Sequence, residues 1–203
     1  MKTLLQTLTV ITLMAVSTTT AKAQSRLIRN QGFFYGVEGF YGHGTSLRST
    51  HRYDVANFSP SSYGLKVSTN WFSGFHFSSG LTAGVLNYES PGMLTFPLLV
   101  NGQGYLSKGA NTPLVYAEVG YGLRFNHKNQ DKGLLYEAGI GYRHRIQRNN
   151  FWVVKAGFQG FHNKEWLWDF ELGENFDPNH YIWYDLKRQT ITLTLGFYYS
   201  TRY

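Results

Sequence analysis

Residues 113–125 read PLVYAEVGYGLRF, a stretch in which two kinds of residue alternate without a break. One set is apolar or aromatic and includes Val115, Val119 and Leu123. The set between them holds Glu118 and Arg124 together with a tyrosine and glycines. Successive side chains of a β-strand point to opposite faces, so this stretch predicts a strand with one apolar face and one face rich in small and charged residues.

The same two-residue period recurs along the rest of the chain. After a polar loop, residues 133–146 read GLLYEAGIGYRHRI and alternate in the same way. Further stretches of this kind lie at residues 32–42, 63–77, 81–89, 94–106, 151–161 and 191–203. Short turns are expected at residues 78–80, 107–112 and 147–150. The eight predicted strands are joined by longer and shorter connections in turn, which indicates an up-and-down antiparallel meander with its long loops at one end.

The last stretch, ITLTLGFYYSTRY at residues 191–203, keeps its period to the end of the sequence. Chain termini usually fray unless they are held by neighbours. We therefore expect this strand to pair on both sides, and its pairing with the first strand closes a barrel.

The charged and glycine-rich face indicates which side of each strand points into the barrel. In a soluble sandwich this face would meet water, and its glycines would occupy exposed strand positions, where glycine is unfavourable. The interior of an eight-stranded barrel is only wide enough to be filled by side chains, and glycines leave room there for long charged ones. The residues expected to form an ion network in the lumen are Glu38, Lys66, Glu118, Arg124, Glu137, Arg143, Arg145 and Lys155.

With the charges inside, the apolar face meets lipid, and a closed barrel leaves no unpaired backbone edge in the hydrocarbon. The sequence thus predicts an all-β fold, an eight-stranded antiparallel up-and-down transmembrane β-barrel. We interpret the charged lumen as a structural ion network and not as an open pore.

The N-terminus has the parts of a signal peptide. Lys2 supplies the charged start, residues 4–16 are the apolar stretch, and a small-residue site precedes Gln24. We expect cleavage after Ala23, which leaves residues 24–203 as one barrel domain. Removing Lys2 and Lys22 lowers the formal net charge from +7 to +5. The remaining positive charge is scattered, so nucleic acid is not an expected partner. The absence of cysteine excludes disulfides and metal–thiolate sites.

Together these features resemble the small bacterial outer-membrane β-barrel proteins, the eight-stranded group that is similar to OmpX and the OmpA transmembrane domain. The stretch NWFSGFHFSSGLTAGVLNYE at residues 70–89 and the terminal aromatic strand carry much of this likeness. The resemblance implies location in the outer membrane of a Gram-negative cell envelope, with both termini in the periplasm and the long loops outside. It also implies insertion by the barrel-assembly machinery, which reads a last strand of this kind, and it implies no activity.

Two other functions are weighed against this one. Outer-membrane lipid A deacylases are small barrels with a His-x-Ser element, which His76-Phe77-Ser78 resembles, although Ser79-Gly80 departs from the family pattern. A soluble, secreted, lipocalin-like binding protein is the other alternative. We expect no enzyme, no cofactor, no catalytic residue and no metal site, because the histidines show no paired ligand spacing.

The segment of residues 163–186 is the best candidate for recognition of an extracellular ligand or protein. Its aromatic residues keep the two-residue period past the expected membrane edge, which predicts a hairpin that continues outside. The equal alternative is that these rings lie at the lipid head groups or pack over the barrel mouth. The candidate binding residues are Trp166, Trp168, Phe170, Tyr181, Trp183 and Tyr184. Outer-membrane lipid is a further expected partner. Arg48, His51 and Arg52 are candidates for contact with the phosphates of lipopolysaccharide, although simple solvation is the favoured interpretation for exposed cations of this kind.

Overall fold

A computed structural model describes residues 32–49, 59–89, 93–124, 132–168 and 181–201 of the 203-residue chain. The predicted signal peptide lies outside these residues. The described residues form a closed barrel of eight antiparallel strands in chain order. The strands are β1 (Gly32–Ser49), β2 (Ser61–Phe72), β3 (Phe77–Tyr88), β4 (Met93–Tyr105), β5 (Thr112–Leu123), β6 (Lys132–Arg145), β7 (Asn150–Trp168) and β8 (Tyr181–Ser200).

The barrel closes through the pairing of β8 with β1, as predicted from the regularity of the last stretch. Their ladder runs from Phe34 opposite Ser200 to Ser49 opposite Leu186, with one irregularity between Gly44 and Ser46. The other edge of β8 pairs with β7 over its whole length. The predicted start of this strand, at residue 191, lies too far along the sequence, because β8 begins at Tyr181.

The two ends of the barrel differ in their connections. At one end, here called the turn end, the β2–β3, β4–β5 and β6–β7 connections are short, and β1 begins and β8 ends there. The opposite end, here called the loop end, carries the other four connections. We predicted the β2–β3 turn at residues 78–80, and this was wrong: β3 already begins at Phe77. Aromatic residues on both sides of Gly74 continue the alternation through the turn, so the period did not reveal it.

The apolar face lies outside and the charged face inside, as predicted. Within β6, Ile140 is 67% exposed whereas Glu137 is only 2% exposed. Val119 and Leu195 also point outward. An exposed surface this apolar is stable only against an apolar medium, which is what a transmembrane barrel meets. No helix among the described residues is long and apolar enough to cross a membrane.

The β3–β4 ladder is interrupted at one point. Its pairs run to Ala83 opposite Leu98 and resume at Leu86 opposite Thr95. Pro97 lies in the gap, and proline has no N–H group to donate to a ladder.

Candidate functional site

The centre of the lumen holds a buried ion network built from five strands. Lys66 Nζ on β2 lies 3.1 Å from Glu118 Oε2 on β5 and 3.0 Å from Glu137 Oε2 on β6. Lys155 Nζ on β7 lies 2.5 Å from Glu38 Oε1 on β1 and 3.7 Å from Glu118 Oε1. Each residue reaches this layer because its strand position points inward and the strands converge on a narrow axis.

Neutral donors add hydrogen bonds to Glu137 and Glu38, although Glu38 Oε2 has no partner among the described residues. Glu137 Oε1 accepts hydrogen bonds from the Tyr116 hydroxyl at 2.8 Å and the Thr192 hydroxyl at 2.9 Å. Gln159 Nε2 donates to Glu137 Oε2 at 3.2 Å. Glu38 accepts a hydrogen bond from the Tyr198 hydroxyl. Such bonds are needed because attraction between buried charges alone seldom offsets their loss of hydration.

Glycines make room for the two tyrosines of this shell. A Cβ atom on Gly36 would lie 2.3 Å from the Tyr198 ring, and one on Gly157 would lie 2.3 Å from the Tyr116 hydroxyl oxygen. These close approaches explain why inward strand positions are glycine here, despite its poor strand propensity.

Arg143 occupies a separate layer at the turn end. Its guanidinium carbon lies 4.5 Å from the centre of the Tyr105 ring and 5.2 Å from that of Phe151, with Phe34 and Phe72 within 6 Å. Its nitrogens donate to the carbonyl oxygens of Ala110 at 3.1 Å and Gly109 at 3.0 Å in the β4–β5 turn. The arginine therefore joins an aromatic cluster to the backbone of a turn.

A second apolar layer lies toward the loop end. Its buried members are Phe40, Leu86, Tyr88, Leu99, Leu135, Phe161 and Leu186. Arg188 stacks on Tyr88, with its guanidinium carbon 4.9 Å from the ring centre, and donates to the Pro60 carbonyl oxygen at 2.8 Å. Three layers therefore follow one another along the barrel axis: the aromatic layer around Arg143 at the turn end, the ionic layer at the centre, and the second apolar layer toward the loop end.

The predicted lumen residues thus lie in four different places. Glu38, Lys66, Glu118, Glu137 and Lys155 meet in the ionic layer. Arg143 lies in the turn-end layer, and Arg124 is buried at the loop-end edge of β5. Arg145 lies outside all three layers, because its Nε donates to the Gln147 carbonyl oxygen at 3.1 Å in the β6–β7 turn.

Sequence reasoning missed the apolar layers and Arg188. Phe34 and Phe40 share the inward face of β1 with Glu38, and this mixture was the available signal. Arg188 precedes the predicted start of the last strand, so it was not placed on any face. The alternation placed Tyr116 and Tyr198 on the inward faces of their strands, but it did not show that their hydroxyl groups bond the carboxylates of the ionic layer.

Five of the six hairpin candidates lie on the paired ends of β7 and β8. Trp166 pairs with Trp183, Trp168 with Tyr181, and Glu165 with Tyr184, so β7 and β8 remain hydrogen-bonded to their tips. The two strands therefore continue as a paired hairpin, and its position outside the membrane stays a prediction. Phe170 lies outside the described residues, as do His51 and Arg52.

The His-x-Ser element is not assembled as a hydrolytic pair. His76 lies in the β2–β3 turn, where its Nδ1 is 2.8 Å from the Tyr105 carbonyl oxygen. Ser78 is buried in the lumen, with its Oγ 3.4 Å from the Tyr105 hydroxyl oxygen. Within the described part of the chain, no group of three or more His, Asp or Glu side chains could hold a metal ion.

The outer surface at the loop end carries an ionic row across three strands. His162 on β7, Lys187 on β8 and Arg48 on β1 are direct register neighbours. Asp185 bonds His162 Nε2 and lies 3.3 Å from Lys187 Nζ. Partial burial would raise the pKa of the Asp185 carboxyl, but the hydrogen bonds from His162 and Lys187 outweigh it and hold this pKa below its usual range.

Two depressions lie on the apolar outer face. The larger, of about 990 Å³, has outward residues of β1 to β5 and β8 on its walls, among them Val67, Leu81 and Val100. The smaller, of about 370 Å³, surrounds Gly39 and is lined by Tyr41, Tyr63, Leu65, Leu193 and Leu195. Both face outward and not into the lumen, so neither is a ligand cup of the lipocalin kind.

A closed eight-stranded barrel with an apolar outer face and an ionic interior defines the class of eight-stranded transmembrane β-barrels. Among solved structures, the chain is similar to the outer membrane protein OprG from Pseudomonas aeruginosa, at 13% identity and a TM-score of 0.55, covering 86% of this chain and 98% of that one. It is also similar to Neisserial surface protein A (NspA), at 8% identity and a TM-score of 0.55, covering 83% and 96% respectively.

The N-terminal β-barrel domain of Pseudomonas aeruginosa OprF aligns at 14% identity with a TM-score of 0.44, covering 84% of this chain and 98% of that one. No family model and no curated protein matches the chain. At these identities the likeness to OprG and NspA establishes the fold, and the predicted resemblance to small outer-membrane barrels is confirmed at that level.

Proposed function

We propose that the protein is an integral barrel of the bacterial outer membrane that has no open pore and no enzymatic activity. Its role is to hold the β7–β8 hairpin at the cell surface for binding. The observation that carries this proposal is the ionic layer, in which the side chains of Lys66 and Glu118 are each 1% exposed. Of the two structures with a similar fold, OprG is an outer membrane protein and NspA is a surface protein, which supports this location.

The lumen argues for a plug and against a channel. A polar channel needs mobile water along its axis, whereas the ionic layer is cross-linked between strands by short contacts and is flanked by two apolar layers. Burial also makes the network resistant to salt, since screening acts mainly on exposed charges.

The hairpin argues for a binding role. β7 has 19 residues and β8 has 20, whereas about 9–11 tilted residues cross the hydrocarbon. The surplus lies at the loop end, where the sequence is rich in tryptophan and tyrosine. Aromatic residues of this kind dominate the energetics of many binding surfaces.

The test combines topology and conductance. Because the chain has no cysteine, single Gly173→Cys and Gly109→Cys variants can be labelled without background. Residue 173 lies between β7 and β8, and residue 109 lies in the β4–β5 turn. A membrane-impermeant maleimide on intact cells is expected to label the first variant, and to label the second only after permeabilisation.

In planar bilayers, the purified barrel is expected to give no steady single-channel current in 1 M KCl, a test condition in which exposed charges are strongly screened. Stable ion-conducting steps would overturn the closed lumen. Labelling of both cysteines, or of neither, in intact cells would overturn the proposed orientation.

A further inference from the structure

Among the described residues, the outer ionic row at the loop end holds two permanent cations, Arg48 and Lys187, for one carboxylate, Asp185. Arg48 stands directly opposite Lys187 in the β1–β8 ladder, and His162 stands opposite Lys187 in the β7–β8 ladder. Like charges directly opposite one another destabilise a strand pair. Asp185, two residues before Lys187 on β8, contacts both His162 and Lys187. The Lys187 side chain is nevertheless 56% exposed. An arrangement of this kind favours an anion between Arg48 and Lys187.

The position of the row indicates where that anion comes from. Toward the middle of the barrel, the outer face of β8 continues from Lys187 through Gln189 to the exposed Ile191 and Leu193. The row therefore lies at the upper border of the apolar belt, where lipid head groups stand. A soluble anion is not concentrated at this border, whereas the acyl chains of a lipid hold its phosphate at this depth.

An apolar notch lies below the row on the same strands. It surrounds Gly39 on β1, is lined by Leu193 and Leu195 of β8, and has a volume of about 370 Å³. Leu193 is roughly 20 Å from Lys187 along the strand, which corresponds to a depth of about 15 Å for a strand tilted by roughly 40°. This depth is within the reach of an acyl chain whose head group is at the row.

We propose that β7, β8 and β1 form a binding site for a lipid whose head group carries phosphate monoesters. The phosphate oxygens accept charge-assisted hydrogen bonds from Arg48 and Lys187, with His162 beside them, and one acyl chain fills the notch at Gly39. This inference rests on the proposed insertion of the barrel into a membrane, since only a membrane presents the lipid in this orientation.

Native mass spectrometry of the barrel, released from detergent micelles with added bisphosphorylated lipid A, tests the site. The unmodified protein is expected to retain one lipid. An Arg48→Ala/Lys187→Ala variant is expected to retain it with an affinity lower by roughly fivefold for each cation removed. The matched control is Lys108→Ala/Arg148→Ala, which removes two cations from the turn end and is expected to leave retention unchanged.

A second variant tests the notch without changing charge. A Cβ atom on Gly39 would have only the Leu195 carbonyl oxygen within 4 Å, at 3.9 Å, so Gly39→Leu places a side chain in the notch without a clash at its Cβ. It is expected to weaken retention of lipid A while leaving the heat-modifiable gel migration of the barrel intact. Inorganic phosphate at millimolar concentration is expected not to release the lipid.

Equal losses in the loop-end and turn-end double variants would overturn the site, because they would reflect net charge alone. Release by inorganic phosphate would also overturn it and indicate a site for free anions. Loss of binding to a soluble anionic polysaccharide, with lipid retention unchanged, would assign the row to another partner. A protein that fails to insert into vesicles would contradict the proposed function itself, whereas insertion with unselective lipid retention contradicts only this inference.

Discussion

Glu118 and Glu137 stand directly opposite each other on β5 and β6, and both point into the lumen. Two carboxylates in this relationship repel each other in any low-dielectric environment. Lys66 resolves the conflict because its single ammonium group, from β2 on the far wall, lies within 3.1 Å of an oxygen of each. The barrel is thus braced across its diameter, and not only around its circumference by the strand ladders.

Replacing Lys66 by methionine is predicted to be one of the most destabilising single changes in the lumen. Methionine fills a similar volume but leaves two opposed buried carboxylates without their shared cation, which costs about 3–5 kcal/mol. Urea unfolding in lipid vesicles, followed by heat-modifiable gel migration, measures the loss. The control is Lys108→Met in the exposed β4–β5 turn, where a change within about 0.5 kcal/mol is expected. Equal effects of the two substitutions would contradict a bracing role for Lys66.

Glu118→Gln and Glu137→Gln are predicted to differ although both remove one negative charge from the same layer. Glu137 accepts hydrogen bonds from Lys66, Tyr116, Gln159 and Thr192, and an amide nitrogen in place of one oxygen leaves donors facing a donor. Glu118 contacts only lysine ammonium groups among the described residues. We expect Glu137→Gln to cost more, by about 1–3 kcal/mol, in the same unfolding assay. Equal midpoints for the two variants would refute this ranking.

The faces of the strands could be predicted from the sequence, but the levels along the axis could not. Alternation alone places Glu137 inside and Ile140 outside. The level at which an inward side chain meets its neighbours depends on the stagger of the closed ladder, which no local period encodes. For this reason Arg143 was grouped with Glu137 although it belongs to the turn-end layer. The β2–β3 turn was misplaced for a related reason, because Trp71, Phe75 and Phe77 fit one alternating pattern that continues through it.

Arg143→Lys is predicted to destabilise the turn end although it keeps the positive charge. The planar guanidinium packs among four aromatic rings while it donates to two backbone carbonyl oxygens of the β4–β5 turn. A lysine ammonium has neither the flat face nor the forked donors. Loss of a hydrogen bond to a charged donor costs about 1.5–3 kcal/mol, so we expect an effect of at least this size.

Hydrogen exchange of the amides of residues 105–112 provides a local reading of the same variant. These amides are expected to exchange faster in Arg143→Lys, while those of the ionic layer keep their protection. An unchanged exchange pattern together with an unchanged unfolding midpoint would show that charge alone is sufficient at this position.

Gly157→Ala is predicted to disturb the ionic layer by volume alone. The added methyl group would lie 2.3 Å from the Tyr116 hydroxyl oxygen and 2.7 Å from the Ala138 carbonyl oxygen. The Tyr116 ring would have to leave Glu137, so the substitution adds overpacking to the loss of a hydrogen bond and is expected to cost about 1–3 kcal/mol. Gly39→Ala is the matched control, since it adds the same methyl group to a strand glycine with open space outside the barrel. The pair separates packing inside the lumen from the general effect of replacing glycine in a strand: a Gly157→Ala variant as stable as Gly39→Ala would mean that Tyr116 does not need this space.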